Sequence, residues 1–337
     1  MPPLNDIHMV DAADGWGIAN QGVVGALYRT TDGGRTWRHA LWPPESAGNH
    51  PAFAFRGANS VWVASALGGT VIINHTDDGG QSWTQSHVIV TDQKGPVRAP
   101  VDPTLMSFAD QLDGWMWVSD ETSKAGESGG LWATTDGGLH WYLAATAGEG
   151  GPVDTVPLAG SKIGLTFTSA TDGWLTLGGT AGQPAAFLYV TTDAGRHWSP
   201  RPLPGTVSGN VAGVTPVVAG NQLEGFKVLR YPGRQEMVAV LPPPGGTPWR
   251  AGQALTQSGP LSLAFVDVEH GFAVDGGQLP VTSDGGQTWR SVSSNHSLWG
   301  ALVNFVSPTV GFALFMPRSG DELIVSRDGG HTWTRVA

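Results

Sequence analysis

The sequence predicts an all-β fold, a seven-bladed β-propeller with four-stranded antiparallel blades. Three observations support this prediction. An octapeptide ending in tryptophan recurs seven times, its closing tryptophans lie 40 to 58 residues apart, and short runs of alternating apolar residues precede the copies. Repeats of this length with strand-like content are typical of propellers, with one blade per repeat.

The octapeptide is the most regular part of each repeat. Six copies follow the formula Ser/Thr-x-Asp-x-Gly-x-x-Trp, at residues 30–37, 76–83, 134–141, 191–198, 282–289 and 326–333. An aspartate before two glycines can accept hydrogen bonds from amides two or three residues later, which closes a tight turn. We therefore assign a structural role to the six aspartates Asp32, Asp78, Asp136, Asp193, Asp284 and Asp328.

The seventh copy, residues 242–249, keeps Gly245, Gly246 and Trp249 but has lost its aspartate. We count it as a blade, because leaving it out would separate Trp198 from Trp289 by 91 residues.

Each repeat also predicts four strands. A short apolar run such as Ile7 to Val10 precedes a turn such as Asp14-Gly15-Trp16, and two further strands flank the octapeptide. The blades fill a single domain over residues 1–337, with approximate limits at 5–42, 50–88, 103–146, 162–203, 210–254, 260–295 and 299–337.

Composition argues against several classes of function. The net charge of −10 disfavours a nucleic-acid partner. The chain has no cysteine, so it has neither disulfides nor a thiolate metal site, and no 18-residue apolar stretch suggests a membrane span. We expect no cofactor, no metal site, no transmembrane segment and a monomeric protein.

The first residues, Met1-Pro2-Pro3-Leu4, lack the basic and apolar regions of a signal peptide. Either the protein is cytoplasmic, or the chain begins after a leader or tether that has been removed. Because strand content begins at Ile7, as in an excised domain, we expect the second case and an extracytoplasmic location.

The repeated formula resembles the Asp-box, also called the bacterial neuraminidase (BNR) repeat, over essentially the whole chain. The Asp-box occurs in sialidases, xyloglucan-degrading glycosidases, sortilin-type receptors, and photosystem II assembly and stability factors. The fuller unit, an apolar strand, Asp-Gly-Trp and then Thr-x-Asp-Gly-Gly-x-x-Trp, is most similar to the last group and its bacterial relatives. The resemblance to that group implies a binding or assembly scaffold without known catalysis. The box by itself marks the fold and not the activity.

A glycosidase of the sialidase or polysaccharide-cleaving type is the alternative. A sialidase-like site needs three arginines, a tyrosine nucleophile backed by a glutamate, and an acid/base aspartate. Of the four tyrosines, Tyr231 lies off the repeat template, between Arg230 and Arg234. Other glycosidases need two carboxylates about 5–9.5 Å apart, and nothing in the sequence pairs the candidate acids. Whether the protein is an enzyme stays open, with the balance against catalysis.

In a propeller, the connections between blades and those between second and third strands share one face, which we call the loop face. Long connections often mark the binding side of a repeat protein. We expect residues 86–105 and 119–130 to form a polar lip on this face. We expect Trp42 to offer an aromatic platform for a sugar or peptide. The predicted binding residues are Trp42, Arg98, Asp102, Asp120, Glu121, Arg230, Tyr231 and Arg318. Trp117, Trp132 and Trp299 are predicted to lie in the core.

The sequence thus predicts a non-catalytic binding or assembly propeller that recognises a protein or glycan partner through its loop face.

Overall fold

The computed structural model describes residues 1–21, 24–41, 51–67, 69–89, 101–123, 126–148, 155–179, 187–203, 211–219, 222–230, 236–241, 250–256, 262–315 and 322–336. The regular secondary structure of these residues is entirely β, and neighbouring strands are antiparallel.

The first three sheets have four strands each, in sequence order. Sheet I contains β1 (Asp6–Met9), β2 (Gly15–Gln21), β3 (Val24–Thr30) and β4 (Arg38–Leu41). Sheet II contains β5 (Ala52–Arg56), β6 (Ser60–Leu67), β7 (Thr70–Thr76) and β8 (Thr84–Ile89). Sheet III contains β9 (Asp102–Phe108), β10 (Gly114–Ser123), β11 (Gly126–Thr134) and β12 (Tyr142–Ala147).

Sheet IV is larger than the others and has nine strands. It contains β13 (Ser161–Phe167), β14 (Gly173–Gly178), β15 (Leu188–Thr191), β16 (Ser199–Pro200), β17 (Val211–Ala219), β18 (Gln222–Arg230), β19 (Glu236–Leu241), β20 (Arg250–Ala251) and β21 (Leu255–Thr256).

The last two sheets again have four strands in sequence order. Sheet V contains β22 (Ser262–Phe265), β23 (Gly271–Val274), β24 (Leu279–Thr282) and β25 (Arg290–Val292). Sheet VI contains β26 (Ala301–Phe305), β27 (Gly311–Phe315), β28 (Glu322–Ser326) and β29 (Thr334–Arg335).

The described residues therefore form a propeller of six blades, and the prediction of seven was wrong. The predicted blades at 162–203 and 210–254 fall in one sheet, because Gly178 of β14 pairs with Gly213 of β17. A Cβ on Gly213 would lie 3.0 Å from Ile163 Cδ1 and 3.7 Å from the Gly178 Cα. Two glycines let the backbones approach closely enough to pair, which joins the two units into one sheet. The octapeptide at 242–249 lies outside the described residues.

The first strands of the repeats surround a central channel. β5 packs against β9, β9 against β13, β13 against β17, β17 against β22, β22 against β26, and β26 against β1. The ring closes where His8 of β1 stacks on Phe55 of β5, with ring centroids 4.5 Å apart.

Stacked aromatic rings join neighbouring sheets. Such pairs bury large apolar surfaces and add about 0.5–1.5 kcal/mol beyond that burial. The stacked pairs are Trp62 on Phe108 (3.7 Å, sheets II and III), Trp115 on Phe167 (3.6 Å, sheets III and IV) and Phe272 on Phe305 (3.5 Å, sheets V and VI).

The octapeptides form nearly identical turns. In the first, the Thr30 hydroxyl donates to Asp32 Oδ1 at 2.9 Å and accepts from the Gly34 N–H at 2.9 Å. Asp32 Oδ1 also accepts from the Thr36 N–H at 2.9 Å. The same three bonds recur in the other five copies. The second glycine has φ between +79° and +92° in all six, a conformation that favours glycine.

Candidate functional site

The turns divide the molecule into two faces. In sheet I, the octapeptide meets the turn between β1 and β2, because the Gly33 N–H donates to the Ala13 carbonyl at 2.8 Å. Equivalent bonds join Gly137 to Leu112 at 3.0 Å and Gly329 to Thr309 at 2.9 Å. These paired turns form what we call the turn face, opposite the loop face.

Three of the eight predicted binding residues lie together at the loop-face end of sheet III. Asp102 begins β9 and is the register partner of Ser119, which Asp120 and Glu121 follow in β10. Arg230 ends β18, in a different sheet. The remaining predicted residues lie outside the described ones, namely Trp42, Arg98, Tyr231 and Arg318.

Strands β10 and β11 pair as a hairpin in which the acidic residues Asp120 and Glu121 occupy positions toward the loop-face end, and we call it the acidic hairpin (residues 114–134). At ten residues, β10 is the longest strand of the described chain. A β-bulge lies at Asp120, because Ser119 pairs with Gly129 whereas Glu121 already pairs with Ser128. The Ser128 hydroxyl donates to Asp120 Oδ1 at 2.6 Å. Bulges redirect side chains and are frequent beside functional sites.

A buried charge cluster anchors the acidic hairpin to sheet IV. Glu127 and Lys162 are only 5% and 4% exposed. The two carboxylate oxygens of Glu127 accept from Trp117 Nε1 at 2.8 Å and from the Lys162 backbone N–H at 2.6 Å. Lys162 Nζ donates to the Glu127 carbonyl at 2.5 Å and lies 5.3 Å from the Trp117 ring. Because a buried charge is stable only when paired, this cluster holds the hairpin in one position.

Burial lowers the pKa of Lys162 to about 8, and the negative charge of Glu127 opposes that shift. The ammonium group is therefore mostly protonated at neutral pH, which keeps the Lys162–Glu127 attraction in place.

Gly126 brings the hairpin into contact with the chain before β13. A Cβ at this position would lie 1.8 Å from the Leu158 carbonyl oxygen, and the backbone has φ +142°. The next N–H, that of Glu127, donates to the same carbonyl at 3.0 Å. A side chain at residue 126 would therefore displace the hairpin from its anchor.

An exposed tryptophan lies elsewhere on the loop face. Trp299 is 57% exposed, although we expected it in the core. Its neighbour Leu298 is fully buried and donates its N–H to the carbonyl of Gly277, in the turn between β23 and β24. Gly300, at φ +75°, turns the chain into β26. Trp299 and Gly300 directly precede the apolar strand β26. A glycine at that place indicates a turn, and this signal could have revealed that Trp299 is exposed.

Trp117 and Trp132, which were also predicted to lie in the core, are in the interior. Trp117 is 1% exposed, and Trp132 packs half-buried against the core between sheets II and III.

Polar groups also line the channel. Asp6 and His8 on β1 are accessible to water yet closely surrounded by protein. This environment raises the pKa of Asp6 and lowers that of His8 to about 4, so His8 is neutral at pH 7.

Among the described residues, no group of three His, Asp or Glu side chains is arranged as metal ligands. The same part of the chain contains no helix with the length and hydropathy needed to cross a membrane.

Comparison with known proteins supports the propeller fold. No family profile and no curated protein matches this chain by sequence. Among solved structures, YCF48 bound to D1 peptide aligns with a TM-score of 0.57 at 21% identity, over 97% of this chain and 91% of that chain. YCF48 from Cyanidioschyzon merolae aligns with a TM-score of 0.54 at 17% identity, over 97% and 95% of the two chains.

The GH74 xyloglucanase from Xanthomonas campestris aligns with a TM-score of 0.62 at 15% identity, over 99% of this chain but only 54% of that chain. At such identities the likeness shows the fold alone, and the fold is shared by assembly proteins and hydrolases.

Proposed function

We propose that this protein is a non-catalytic binding or assembly propeller that recognises a protein partner through its loop face. The observation that carries the proposal is the acidic hairpin, whose bulged end presents Asp120 from a base fixed by Glu127 and Lys162. A binding element that is already rigid loses little conformational entropy when a partner binds.

The exposed ring of Trp299 adds apolar surface on the same face. Tryptophan is enriched among the side chains that dominate protein interfaces. A protein partner is favoured over a glycan because YCF48, which shares the fold, has been solved with a bound peptide.

Three further points belong to the same proposal. We infer that the chain is an Asp-box propeller, that the protein is extracytoplasmic and that it acts as a monomer. The uniform turn geometry of the six copies supports the first point.

A glycosidase is the second candidate, because a xyloglucanase shares the fold and an exposed tryptophan such as Trp299 suits a sugar ring. Incubation with fluorogenic sialosides, xyloglucan and bacterial polysaccharides at micromolar protein tests this candidate. Product release that disappears in Tyr231→Phe would show that the protein is an enzyme and not a non-catalytic scaffold.

Selection of random twelve-residue peptides against the full chain tests the binding proposal. We expect the selected peptides to lose at least tenfold in affinity, measured by fluorescence anisotropy, when Trp299→Ala or Asp120→Ala is introduced. Val268→Ala is the matched control, because Val268 is 61% exposed on the turn face. Selected peptides that bind both loop-face variants as tightly as the unmodified chain would place the binding surface elsewhere.

A further inference from the structure

A second recessed surface lies on the turn face, between sheets II and III, away from the acidic hairpin. We call it groove A. It encloses about 380 Å³ and is bounded by the octapeptides of both sheets and by the turn between β9 and β10. Its position and lining are independent of the loop-face proposal.

The floor of groove A is rigid. The His75 ring stacks on Trp62 at 4.3 Å, and Trp62 in turn stacks on Phe108 at 3.7 Å. Trp62 Nε1 donates to the Gly137 carbonyl at 2.7 Å, which ties the two sheets together directly below the groove. A floor held by stacking and by a hydrogen bond between sheets does not need to reorganise when a ligand binds.

The rim of groove A carries two large aliphatic side chains that are exposed to solvent. Leu112 is 58% and Leu139 is 54% exposed, and both line the groove. A pair of such side chains beside one recess offers apolar area that a partner can cover.

Groove A is also negatively charged. Among the residues that the structure describes, its lining includes the carboxylates of Asp77, Asp78 and Asp136 but no lysine or arginine. The Ser82 hydroxyl and N–H hold the pKa of Asp78 well below its ordinary value, so this carboxylate is ionised at neutral pH. The Asp77 side chain is 56% exposed, and its Oδ1 hydrogen-bonds to the Ser60 hydroxyl and the His75 ring. Its exposed part can also contact a cation from solution. Burial lowers the pKa of His75, so its ring does not offset the acids at pH 7.

An equivalent groove between sheets V and VI, groove B, lacks these features. It has a similar volume, about 410 Å³, and is built from the same turns. However, Thr309 and His331 stand where groove A has Leu112 and Leu139. Arg290 replaces Thr84, and Ser283 replaces Asp77, so groove B is less acidic, and no leucine is found among its described lining residues. The apolar and acidic character of groove A is therefore not a by-product of the repeat.

We propose that groove A binds a segment of a partner protein in which a lysine or arginine adjoins an aliphatic side chain. The aliphatic group covers Leu112 and Leu139, and the cation lies beside Asp77 and Asp136. Charge complementarity selects this partner, because the three carboxylates repel an acidic segment.

The test uses an eight-residue, fluorescein-labelled peptide that alternates lysine and leucine, titrated against the full chain by anisotropy and by leucine methyl resonances. We expect the methyl signals of Leu112 and Leu139 to shift selectively. The variant Leu112→Thr/Leu139→His should weaken binding at least tenfold, and Thr84→Arg/Asp77→Ser should do the same. All four replacements are the residues of groove B, so the turns are expected to fold.

Two further peptides separate this proposal from general attraction to an acidic protein. A peptide alternating lysine and serine keeps the charge without the apolar groups, and one alternating glutamate and leucine reverses the charge. Both should bind at least tenfold more weakly than the lysine–leucine peptide. Equal binding by the lysine–serine peptide, or undiminished binding to the two double variants, would overturn the proposal.

Discussion

Grooves A and B have the same frame but different surface chemistry. In both, the first glycine of the octapeptide pair donates its N–H to a carbonyl in the neighbouring turn. Gly137 donates to the Leu112 carbonyl in groove A, and Gly329 donates to the Thr309 carbonyl in groove B. In both, an aspartate closes the turn, Asp136 or Asp328. The side chains that differ lie between these fixed points. The repeat therefore sets the shape of each groove. The side chains at the variable positions of the octapeptide and in the adjoining turns and strands set what the groove can bind.

The largest expected effect concerns the floor of groove A. Trp62→Ala removes a fully buried ring that stacks on both His75 and Phe108, and we expect the free energy of unfolding to fall by about 3–5 kcal/mol. Urea denaturation measures this loss. Phe272→Ala in groove B should cost a similar amount, because Phe272 stacks on Phe305 in the same way.

Trp62→Phe separates the ring from its hydrogen bond. Groove B already has phenylalanine at this position, but in groove A the Gly137 carbonyl would lose the indole donor. We expect a cost of about 1–3 kcal/mol from the unpaired carbonyl. A variant as stable as the unmodified chain would show that the bond between sheets II and III contributes nothing.

The next effect concerns the turns that the two grooves share. Asp136→Ala removes the acceptor of the Thr134 hydroxyl and the His140 N–H, and we expect Tm to fall by about 2–4 °C. Asp328→Ala should lower Tm in the same direction, as a structural role for both aspartates requires. Differential scanning calorimetry measures both. Loss of peptide binding by an Asp136→Ala protein with unchanged Tm would contradict that role.

The contribution of Asp136 should depend on pH. Partial burial alone would raise its pKa, but hydrogen bonds from His140 and Thr134 outweigh burial and lower it below the ordinary 3.8. The unfolded chain therefore binds the proton more readily than the folded one. The stabilisation is complete above pH 3.8 and is lost as the pH falls through the lower folded-state pKa. The Tm difference between the unmodified chain and Asp136→Ala should shrink at pH 3 relative to pH 7.

The smallest effect is a gain of binding in groove B. The variant Thr309→Leu/His331→Leu/Arg290→Thr/Ser283→Asp gives groove B the side chains of groove A. We expect a second, weak site for the lysine–leucine peptide, seen by calorimetry as a rise in stoichiometry from about one to about two. An unchanged stoichiometry would mean that these four positions do not suffice to define the site.

Much of the fold could be predicted from local sequence. The octapeptide turns form where the Ser/Thr-x-Asp-x-Gly-x-x-Trp formula predicts them, because each turn satisfies its hydrogen bonds within a few residues. The number of blades could not be predicted in this way. It depends on one long-range pairing, Gly178 with Gly213, whose glycines carry no strand pattern.

The candidate site was predicted only in part. Asp102, Asp120 and Glu121, predicted from the long connections, occupy neighbouring positions at one end of sheet III, and their role in binding stays a prediction. The bulge at Asp120 and the exposure of Trp299 escaped the sequence analysis, because both depend on how a neighbouring strand or turn is aligned.

The sequence by itself determined the repeat, the turn chemistry of the six octapeptides and the aromatic positions that join neighbouring blades. These features depend on residues close in the chain or on a pattern repeated many times. The tertiary structure alone decided which surfaces are chemically distinct. Lys162 meets Glu127 at 2.5 Å across two sheets, and Leu112 and Leu139 reach one groove from separate turns. The first meeting depends on the packing of one blade against the next, and the second on the alignment of two turns within sheet III. No local pattern in the sequence predicts either of them.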